Sequence, residues 1–253
     1  MNIVVPVKLV PDLVEELEIN DDGTDIDRDF VSLRINEFCD HALEEALQLK
    51  EAHGGTVTVL ALESEETDKV LYTALAKGAD RAIKVTGVDE EMRSTRATAS
   101  AMQQALETID YDLILTGVQA ADDRDGQLAV LLANFLEIPH VAVVSAVALD
   151  GDTIQIQKEY AGGITAEFEA KPKVVLGVQA ARETPRYAPV SRVRQIMKEA
   201  ELEEIAVGDV EDATGSSVRR MFLPEKGDGA EMLDGSVDEI ADRIAGILNE
   251  KRG

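Results

Sequence analysis

Short apolar runs alternate with longer amphipathic segments through the first 150 residues. Apolar runs of four to eight residues are typical of buried strands, whereas apolar positions that recur every three or four residues are typical of helices. The runs predict strands at residues 3–7, 57–62, 82–85, 113–116 and 141–148, and the segments between them predict helices at 39–52, 68–77, 91–109 and 128–136. This alternation predicts an α/β fold with an open, mostly parallel, Rossmann-like sheet.

The pattern changes after residue 150. Apolar residues alternate with polar ones around Ile154, Ile156 and Phe168, with a turn at residues 162–163, which predicts an antiparallel extension of the sheet. Residues 174–179 predict one more buried strand, and residues 193–202 predict a helix. Residues 13–35 lack periodicity and predict an excursion after the first strand, with the turn at 21–25 as its tip.

The end of the chain predicts a C-terminal arm. Residues 237–251 form an amphipathic pattern that places Ile240, Ile244 and Ile247 on one side of a helix. An arm of this kind needs a surface to pack against, either on its own domain or on a second subunit. We therefore divide the chain into an α/β domain at residues 1–185 and a second part, a loop and the arm, at residues 186–253.

Charge and cysteine content narrow the classes of function. The chain carries 25 basic and 50 acidic residues, a net charge of −25, which opposes binding to nucleic acid and to anionic membranes. Acids spread along the whole chain fit a protein from a salt-rich source, and an ordinary acidic cytosolic protein is the alternative. The single cysteine, Cys39, excludes an internal disulfide and predicts a reducing compartment. The N-terminal apolar stretch is too short to span a bilayer and lacks signal-peptide features, so we expect a cytoplasmic protein without membrane insertion.

The loop after the strand at 113–116 is the first candidate for chemistry, since open α/β sheets bind ligands at the carboxyl ends of their strands. Free backbone N–H groups at Gly126, Gln127 and Leu128 would open the next helix and could hold a phosphate. Three nearby acids repel a phosphate unless they point away or bind ribose hydroxyls, and Arg124 offsets only one of them; they are Asp122, Asp123 and Asp125. A solvated acidic turn that caps the helix is the alternative.

Other signatures of chemistry are missing from the sequence. It contains no GxGxxG and no Walker A motif, which disfavours a dinucleotide dehydrogenase or a P-loop enzyme. The histidines His41, His53 and His140 have no metal-ligand spacing, and no serine lies in a GxSxG pattern. Hydrolytic, covalent and metal-dependent catalysis therefore have no support in the sequence.

Several motifs occur in a fixed order along the chain. They are VPVKLVPD at residues 5–12, INEFCDHALEEALQLKE at 35–51, LYTALAKGADRAIKV at 71–85, DLILTGVQAADDRDGQLAVLLANFLEIPHV at 112–141 and ETPRYAPVSRVRQIMK at 183–198. Together they resemble the beta subunit of electron transfer flavoprotein over essentially the whole chain. The resemblance implies an electron carrier rather than an enzyme. Two rivals with a similar fold are a homodimeric ATP-binding stress-type protein and an adenine hydrolase-like enzyme.

The resemblance also implies cofactors and partners. The family's beta subunit pairs with an alpha subunit in a heterodimer, and the FAD of the alpha subunit relays electrons from dehydrogenases to a membrane quinone reductase or another electron-accepting oxidoreductase. The beta subunit itself holds AMP or, in electron-bifurcating members, a second FAD. By this resemblance residues 1–185 form the adenine-nucleotide-binding domain, and the arm in residues 186–253 packs on the alpha subunit.

Carried over by position, the resemblance implies a nucleotide site built largely of main-chain atoms. Gly126 and Leu128 replace polar residues that hold phosphates in AMP-binding members, and the loop lacks the DGDTAQ pattern of bifurcating members. AMP and FAD therefore both remain candidates for the bound nucleotide. The expected cofactor-binding residues are Pro6, Asn36, Glu37, Phe38, Cys39, Leu62, Gly117, Gln119, Ala120, Asp122, Asp123, Asp125, Gly126, Gln127 and Leu128.

Four positions are expected to face partners. Phe38 matches an aromatic residue beside the flavin of the alpha subunit, and Glu159 matches an acidic residue near the subunit interface. The alternatives are that Phe38 belongs to the core and that Glu159 is solvated. Val190 or Val193 matches the apolar tip of a loop that dehydrogenases grip in the family, and a simple surface hairpin is the alternative.

Overall fold

The computed structural model describes residues 1–28, 31–88, 94–123, 125–210, 218–225, 227 and 229–252. Contacts divide the chain into two units. The first unit comprises Met1–Glu18 and Ile26–Ser217, and the second comprises Ile19–Asp25 and Val218–Gly253. The boundary that the sequence places between residues 185 and 186 concerns packing against a partner, and it stays a prediction.

The first unit is built on a mixed sheet with helices on both faces. Its strands are β1 (Asn2–Pro6), β2 (Leu9–Pro11), β3 (Leu33–Ile35), β4 (Thr56–Leu62), β5 (Arg81–Thr86), β6 (Leu113–Gly117), β7 (His140–Asp150), β8 (Thr153–Tyr160), β9 (Ile164–Ala170), β10 (Val174–Val178) and β11 (Glu203–Ala206). Its helices are α1 (Glu37–His53), α2 (Thr67–Lys77), α3 (Thr95–Leu106), α4 (Leu128–Phe135) and α5 (Val190–Glu199). The expected α/β class is confirmed.

Nine of these strands form one sheet in the order β11-β5-β4-β1-β6-β10-β7-β8-β9. Pairing is parallel from β11 to β7 and antiparallel between β7, β8 and β9, as the change in sequence pattern predicts. Strands buried on both faces read as continuous apolar runs, and β6 and β10 are buried at every position. The sheet therefore forms the centre of the core.

The helices cover the two faces of the sheet separately. Small and branched residues of α1 and α2, such as Ala42, Leu43 and Leu71, pack on one face, and residues of α3 and α4, such as Met102 and Leu132, pack on the other. Both layers are anchored by fully buried side chains, which supply the hydrophobic stabilisation of the fold.

The structure corrects several predicted boundaries. Ser94 is extended and its side chain accepts a hydrogen bond from the Ala97 N–H at 3.1 Å, so α3 begins at Thr95 rather than at residue 91, and residues 89–93 lie outside the described part. The helix predicted at 193–202 spans Val190–Glu199 instead, because the following segment forms β11 beside β5. The sequence pattern does not predict β11, because three of its four residues are exposed.

In the second unit, helix α6 (Val237–Arg252) confirms the predicted amphipathic segment. Ser236 and Glu239 form a capping box: the Ser236 N–H and hydroxyl both donate to Glu239 Oε2, at 2.8 and 2.7 Å. The turn at residues 21–25 also belongs to this unit, and the Gly23 carbonyl accepts a hydrogen bond from the Met221 N–H at 2.7 Å. None of the α6 side chains is buried.

Candidate functional site

The strand order places a crevice at the carboxyl ends of β1 and β6. From β1 the chain proceeds to β4 and β5 on one side, and it then returns to β6 on the other side of β1. Such a reversal leaves room for a ligand beyond the strand ends. Pro6, Leu62 and Gly117 are the last residues of β1, β4 and β6, which are neighbours in the sheet. Three of the predicted site residues thus lie along one edge.

Asn36 joins this edge to the start of α1. Its side chain is 2% exposed and donates hydrogen bonds from Nδ2 to the Gln119 carbonyl at 2.9 Å and to Cys39 Sγ at 3.3 Å. Its backbone N–H donates to the Lys8 carbonyl at 2.9 Å. One amide side chain therefore fixes the loop after β1, the first turn of α1 and the loop after β6 relative to each other.

Gly117 allows β6 to approach α1 closely. A Cβ at this position would lie 2.8 Å from the Cys39 nitrogen, 2.9 Å from the Phe38 carbonyl carbon and 3.0 Å from Phe38 Cβ. Any other residue would push the first turn of α1 away from the strand. Phe38 is half-buried and Cys39 is buried, and burial raises the pKa of the Cys39 thiol. The thiol is thus held as a neutral packing group.

The loop before α4 provides fewer free donors than the sequence suggests. The Gln127 N–H already donates to Asp125 Oδ1 at 3.1 Å, so the expectation of three free amides is wrong at this residue. Among the described residues, the N–H groups of Gly126 and Leu128 have no acceptor. Gly126 has φ +64°, and a Cβ there would crowd the Val118 carbonyl at 3.2 Å, which explains glycine at this position.

The three loop acids are held by other parts of the chain. Lys8 Nζ lies 2.8 Å from Asp122 Oδ1 and 3.6 Å from Asp123 Oδ2. Burial raises the pKa of Asp123, although Lys8 and the hydrogen bond from the Ala120 N–H oppose that change. Asp125 Oδ2 accepts a hydrogen bond from the Thr95 hydroxyl at 2.7 Å. These contacts show how the loop tolerates three carboxylates; Arg124 lies outside the described residues.

Thr116, directly before Gly117, carries a buried hydroxyl without a hydrogen-bond partner among the described residues. Its register partner Gly177 lies under α4, since a Cβ on Gly177 would be 3.3 Å from Ala129 Cβ. Thr116 therefore points toward the same helix.

Replacement of Thr116 by valine is expected to stabilise the chain. Valine keeps the branched shape and removes an unsatisfied polar group, which should raise the free energy of unfolding by about 1 kcal/mol. Urea unfolding of Thr116→Val beside Thr58→Val, which alters another buried threonine, measures this. A lower stability of Thr116→Val would show that the hydroxyl has a stabilising partner.

The remaining predicted residues differ in burial and in their distance from the crevice. The side chains of Leu62 and Leu128 are half-buried against the core and Ala120 is buried, so their main-chain atoms are the groups best placed to face a ligand. Glu37 is exposed at the start of α1. Glu159 is exposed on β8, three strand spacings or about 14 Å from β6, and is not part of this cluster.

The segment expected to dock partners is helical. Val190 is the first residue of α5 and its side chain is 58% exposed, whereas Val193 is half-buried one turn later. The alternative of a surface hairpin is therefore wrong for these residues. Their role in docking stays a prediction.

Sequence reasoning missed the residues that hold the site together. Lys8 and Thr95 bind the loop acids from other elements, at 2.8 and 2.7 Å. Glu44 and Glu45 are buried in α1 although both are charged. The sequence signal for this pairing is two adjacent acids inside an apolar helix, together with an arginine-rich segment later in the chain.

The described residues offer neither a membrane span nor a metal site. No helix there is long and apolar enough to cross a bilayer, and no group of side chains there could hold a metal ion. A shallow open depression of about 420 Å³, lined in part by Val130, Asn134 and His140, lies where β7 begins, which is the amino end of the strand. It is therefore not the crevice described above.

Comparison with known proteins gives consistent matches. Residues 26–210 match the family model described as "Electron transfer flavoprotein domain". The chain is 33% identical over 265 residues to the electron transfer flavoprotein subunit beta of Methylophilus methylotrophus, with all of both chains covered. It is 34% identical to the protein of that name from Clostridium acetobutylicum, covering 99% of each chain, and 32% identical to that from Homo sapiens, covering 83% of each.

Proposed function

The chain belongs to the electron transfer flavoprotein family, and from this premise we propose that it is the beta subunit of a heterodimer that relays electrons from dehydrogenases to an electron-accepting oxidoreductase. Full-length matches to subunits named beta support the assignment. They do not favour the two rivals, a homodimeric ATP-binding stress-type protein and an adenine hydrolase-like enzyme. Its role is electron transfer.

The observation that carries the proposal is the convergence of main-chain groups at the crevice. Asn36 ties the start of α1 to the Gln119 carbonyl, Gly117 brings β6 against that turn, and the first turn of α4 opens nearby. The positive end of a helix dipole with free amides suits a phosphate. An adenine nucleotide recognised mainly through backbone atoms fits this edge.

The nucleotide is AMP or the adenylate part of a second FAD. The Gly126 and Leu128 amides would face its phosphate, while Pro6 and Leu62 would border its base. A flavin, when bound, supplies the redox chemistry, and the protein positions and shields it. The FAD of the alpha subunit would lie beside Phe38, with Glu159 nearer the subunit interface. A second FAD would make electron bifurcation possible, whereas AMP would leave simple relay.

Two uncovered apolar surfaces support an alpha-subunit partner. Tyr160, Ile164 and Phe168 are 47%, 64% and 37% exposed on a face of β8 and β9 that continues from the core. In the second unit, Ile244 and Leu248 of α6 are 45% and 57% exposed. Contiguous exposed apolar groups mark interaction sites. We assign both surfaces to the alpha subunit.

The proposal also covers the surface that docks dehydrogenases and the cellular environment of the protein. The exposed Val190 at the start of α5, with Val193 behind it, would meet the electron-donating dehydrogenases. Cys39 is a free, buried thiol, which suits the reducing cytoplasm. The net charge of −25 suits a salt-rich cell, since screening relieves self-repulsion.

Replacement of Lys8 by methionine is expected to weaken AMP binding about tenfold. Lys8 is the cation that neutralises Asp122 and Asp123 at the mouth of the crevice, so its loss increases repulsion of a phosphate. Isothermal titration of AMP into the full-length chain measures the change. The defect should shrink at high salt, because screening reduces the repulsion.

Arg81→Met is the matched control for this experiment. Arg81 is the first residue of β5, at the amino end of the strand and opposite the crevice, and it pairs with Glu203 at 2.6 Å, so AMP affinity should not change. Equal AMP affinity in Lys8→Met and the unmodified chain would show that the phosphate does not bind near this loop, and would contradict the proposed site.

A further inference from the structure

Helix α1 holds the segment after β10 through buried carboxylates. Glu44 is 4% exposed and accepts hydrogen bonds from the Arg186 N–H, Nε and Nη2 at 3.0, 2.9 and 2.9 Å. Glu51 pairs with the same guanidinium at 2.5 Å. Burial alone would raise the pKa of Glu44, but the hydrogen bonds from Arg186 outweigh it and the pKa is lowered.

Glu45, next to Glu44, and His41, one turn closer to the start of α1, make a second set of contacts. Glu45 is fully buried and accepts hydrogen bonds from the Arg182 N–H and Nε, both at 3.1 Å, and from the Val147 N–H at 2.9 Å. His41 Nδ1 accepts a hydrogen bond from the Ala181 N–H at 3.1 Å. We call these contacts of His41, Glu44, Glu45 and Glu51 with residues 181–186 the α1 clamp.

The clamp fixes the chain directly before the proposed docking residues. Tyr187 is 79% exposed, although Arg186 before it is paired with Glu44 and Ala188 after it is 8% exposed. Val190 follows two residues later and is also exposed. An exposed aromatic residue on a firmly held backbone loses little entropy when a partner binds, which favours affinity.

We propose that the α1 clamp positions the segment Tyr187–Val193 for docking, and that His41 contributes to it through the acceptor Nδ1. The inference rests on the proposed function for the role of that segment. His41, Glu44, Glu45 and Glu51 are positioning residues in this proposal, because they act through residues 181–186.

The contact of His41 requires an acceptor at Nδ1, which receives the Ala181 N–H at 3.1 Å. A side chain with an amide oxygen at that place could receive the same N–H, whereas an apolar side chain could not. The clamp is therefore expected to lose its Ala181 contact when the acceptor is removed.

Charged groups surround His41 on its own helix, on α2 and on residues 181–186, whereas the strands beneath α1 carry almost none. Its own helix carries Glu37, Asp40, Glu44 and Glu45 near it, and α2 contributes Lys77, which pairs with Asp40. Residues 181–186 contribute Arg182 and Arg186. Strands β1, β4, β6 and β10 under α1 contain no ionisable side chain, and β7 has only His140 and Asp150, at its two ends.

Three forms of the full-length chain test the proposal: the unmodified chain, His41→Asn and His41→Leu. Asparagine places an acceptor where Nδ1 lies, whereas leucine has no acceptor. Hydrogen–deuterium exchange at pH 8 gives protection factors for Ala181 and for residues 187–193.

His41→Leu should lose protection about five- to tenfold relative to the unmodified chain, the size expected for one hydrogen bond, whereas His41→Asn should keep it. Equal protection of His41→Leu and the unmodified chain, or a His41→Asn value as low as that of His41→Leu, would overturn the proposal.

A separate measurement tests the docking role. Val190→Asp should raise the KM of the heterodimer for a purified dehydrogenase that reduces it, without altering the protection of Ala181. An unchanged KM would refute docking at this segment even if the His41 variants behaved as expected. Equal protection in all three His41 forms, together with a raised KM, would refute only the clamp proposal.

Discussion

Substitution of Gly117 by alanine is expected to weaken adenine-nucleotide binding by roughly 10- to 100-fold. The added Cβ would lie 2.8 and 2.9 Å from backbone atoms of Cys39 and Phe38, and backbone cannot rotate away as a flexible side chain can. Overpacking of this kind costs about 1–3 kcal/mol, and here the strain moves the turn that borders the crevice. Calorimetric titration with AMP, together with urea unfolding, measures both effects.

Gly246→Ala is the matched control for Gly117→Ala. A Cβ at Gly246 meets no atom within 4 Å, and alanine favours a helix interior, so α6 should be unchanged or slightly more stable. If Gly117→Ala bound AMP as tightly as Gly246→Ala, the close contact between β6 and α1 would have no part in nucleotide binding.

Replacement of Arg186 by methionine is expected to lower the free energy of unfolding by about 3–5 kcal/mol. The loss is large because Glu44 would remain buried with an uncompensated charge, and the segment beyond Arg186 would lose its anchor. Chemical denaturation at pH 7, followed by circular dichroism, measures the change. Arg186→Lys should restore only part of it, since one ammonium group cannot bind two carboxylates bidentately.

The effect of Arg186→Met should depend on pH in a defined direction. The pKa of Glu44 lies below its ordinary value of 4.5, so its stabilising contribution is present above that pH and is lost as pH falls through the lowered pKa. Arg81→Met is the control, because Arg81 and Glu203 are about half exposed and such pairs contribute about 0–1 kcal/mol. Similar losses in both variants would contradict the importance of the buried pair.

The central part of the fold could be predicted from the sequence because its strands are buried on both faces. β10 then consists entirely of apolar residues, β6 departs from this only at Thr116, and the helices between the strands show clear periodicity. β11 escaped prediction because it lies at the edge of the sheet and its residues, Glu203–Ala206, are mostly exposed. Its pairing with β5 depends on tertiary contacts, which a local sequence pattern does not reveal.

The candidate site could be located but not assembled from the sequence. Strand ends and a helix start mark the position of Gly117 and Gly126, because those features follow from periodicity. The contacts that hold the loop acids span long separations, as between Lys8 and Asp122, and leave no periodic signal. The same is true of Glu44 and Arg186, which are 142 positions apart.

The most direct test of the account is the small-molecule content of the native complex. The full-length chain, tagged and purified from its own cells, is denatured, and the released nucleotides are quantified by mass spectrometry against both subunits. We expect a heterodimer with one FAD from the alpha subunit and one further adenine nucleotide, AMP or a second FAD, and Gly117→Ala should lose only the latter. A flavin-free homodimer, or a heterodimer with a single FAD and no other adenylate, would contradict the account.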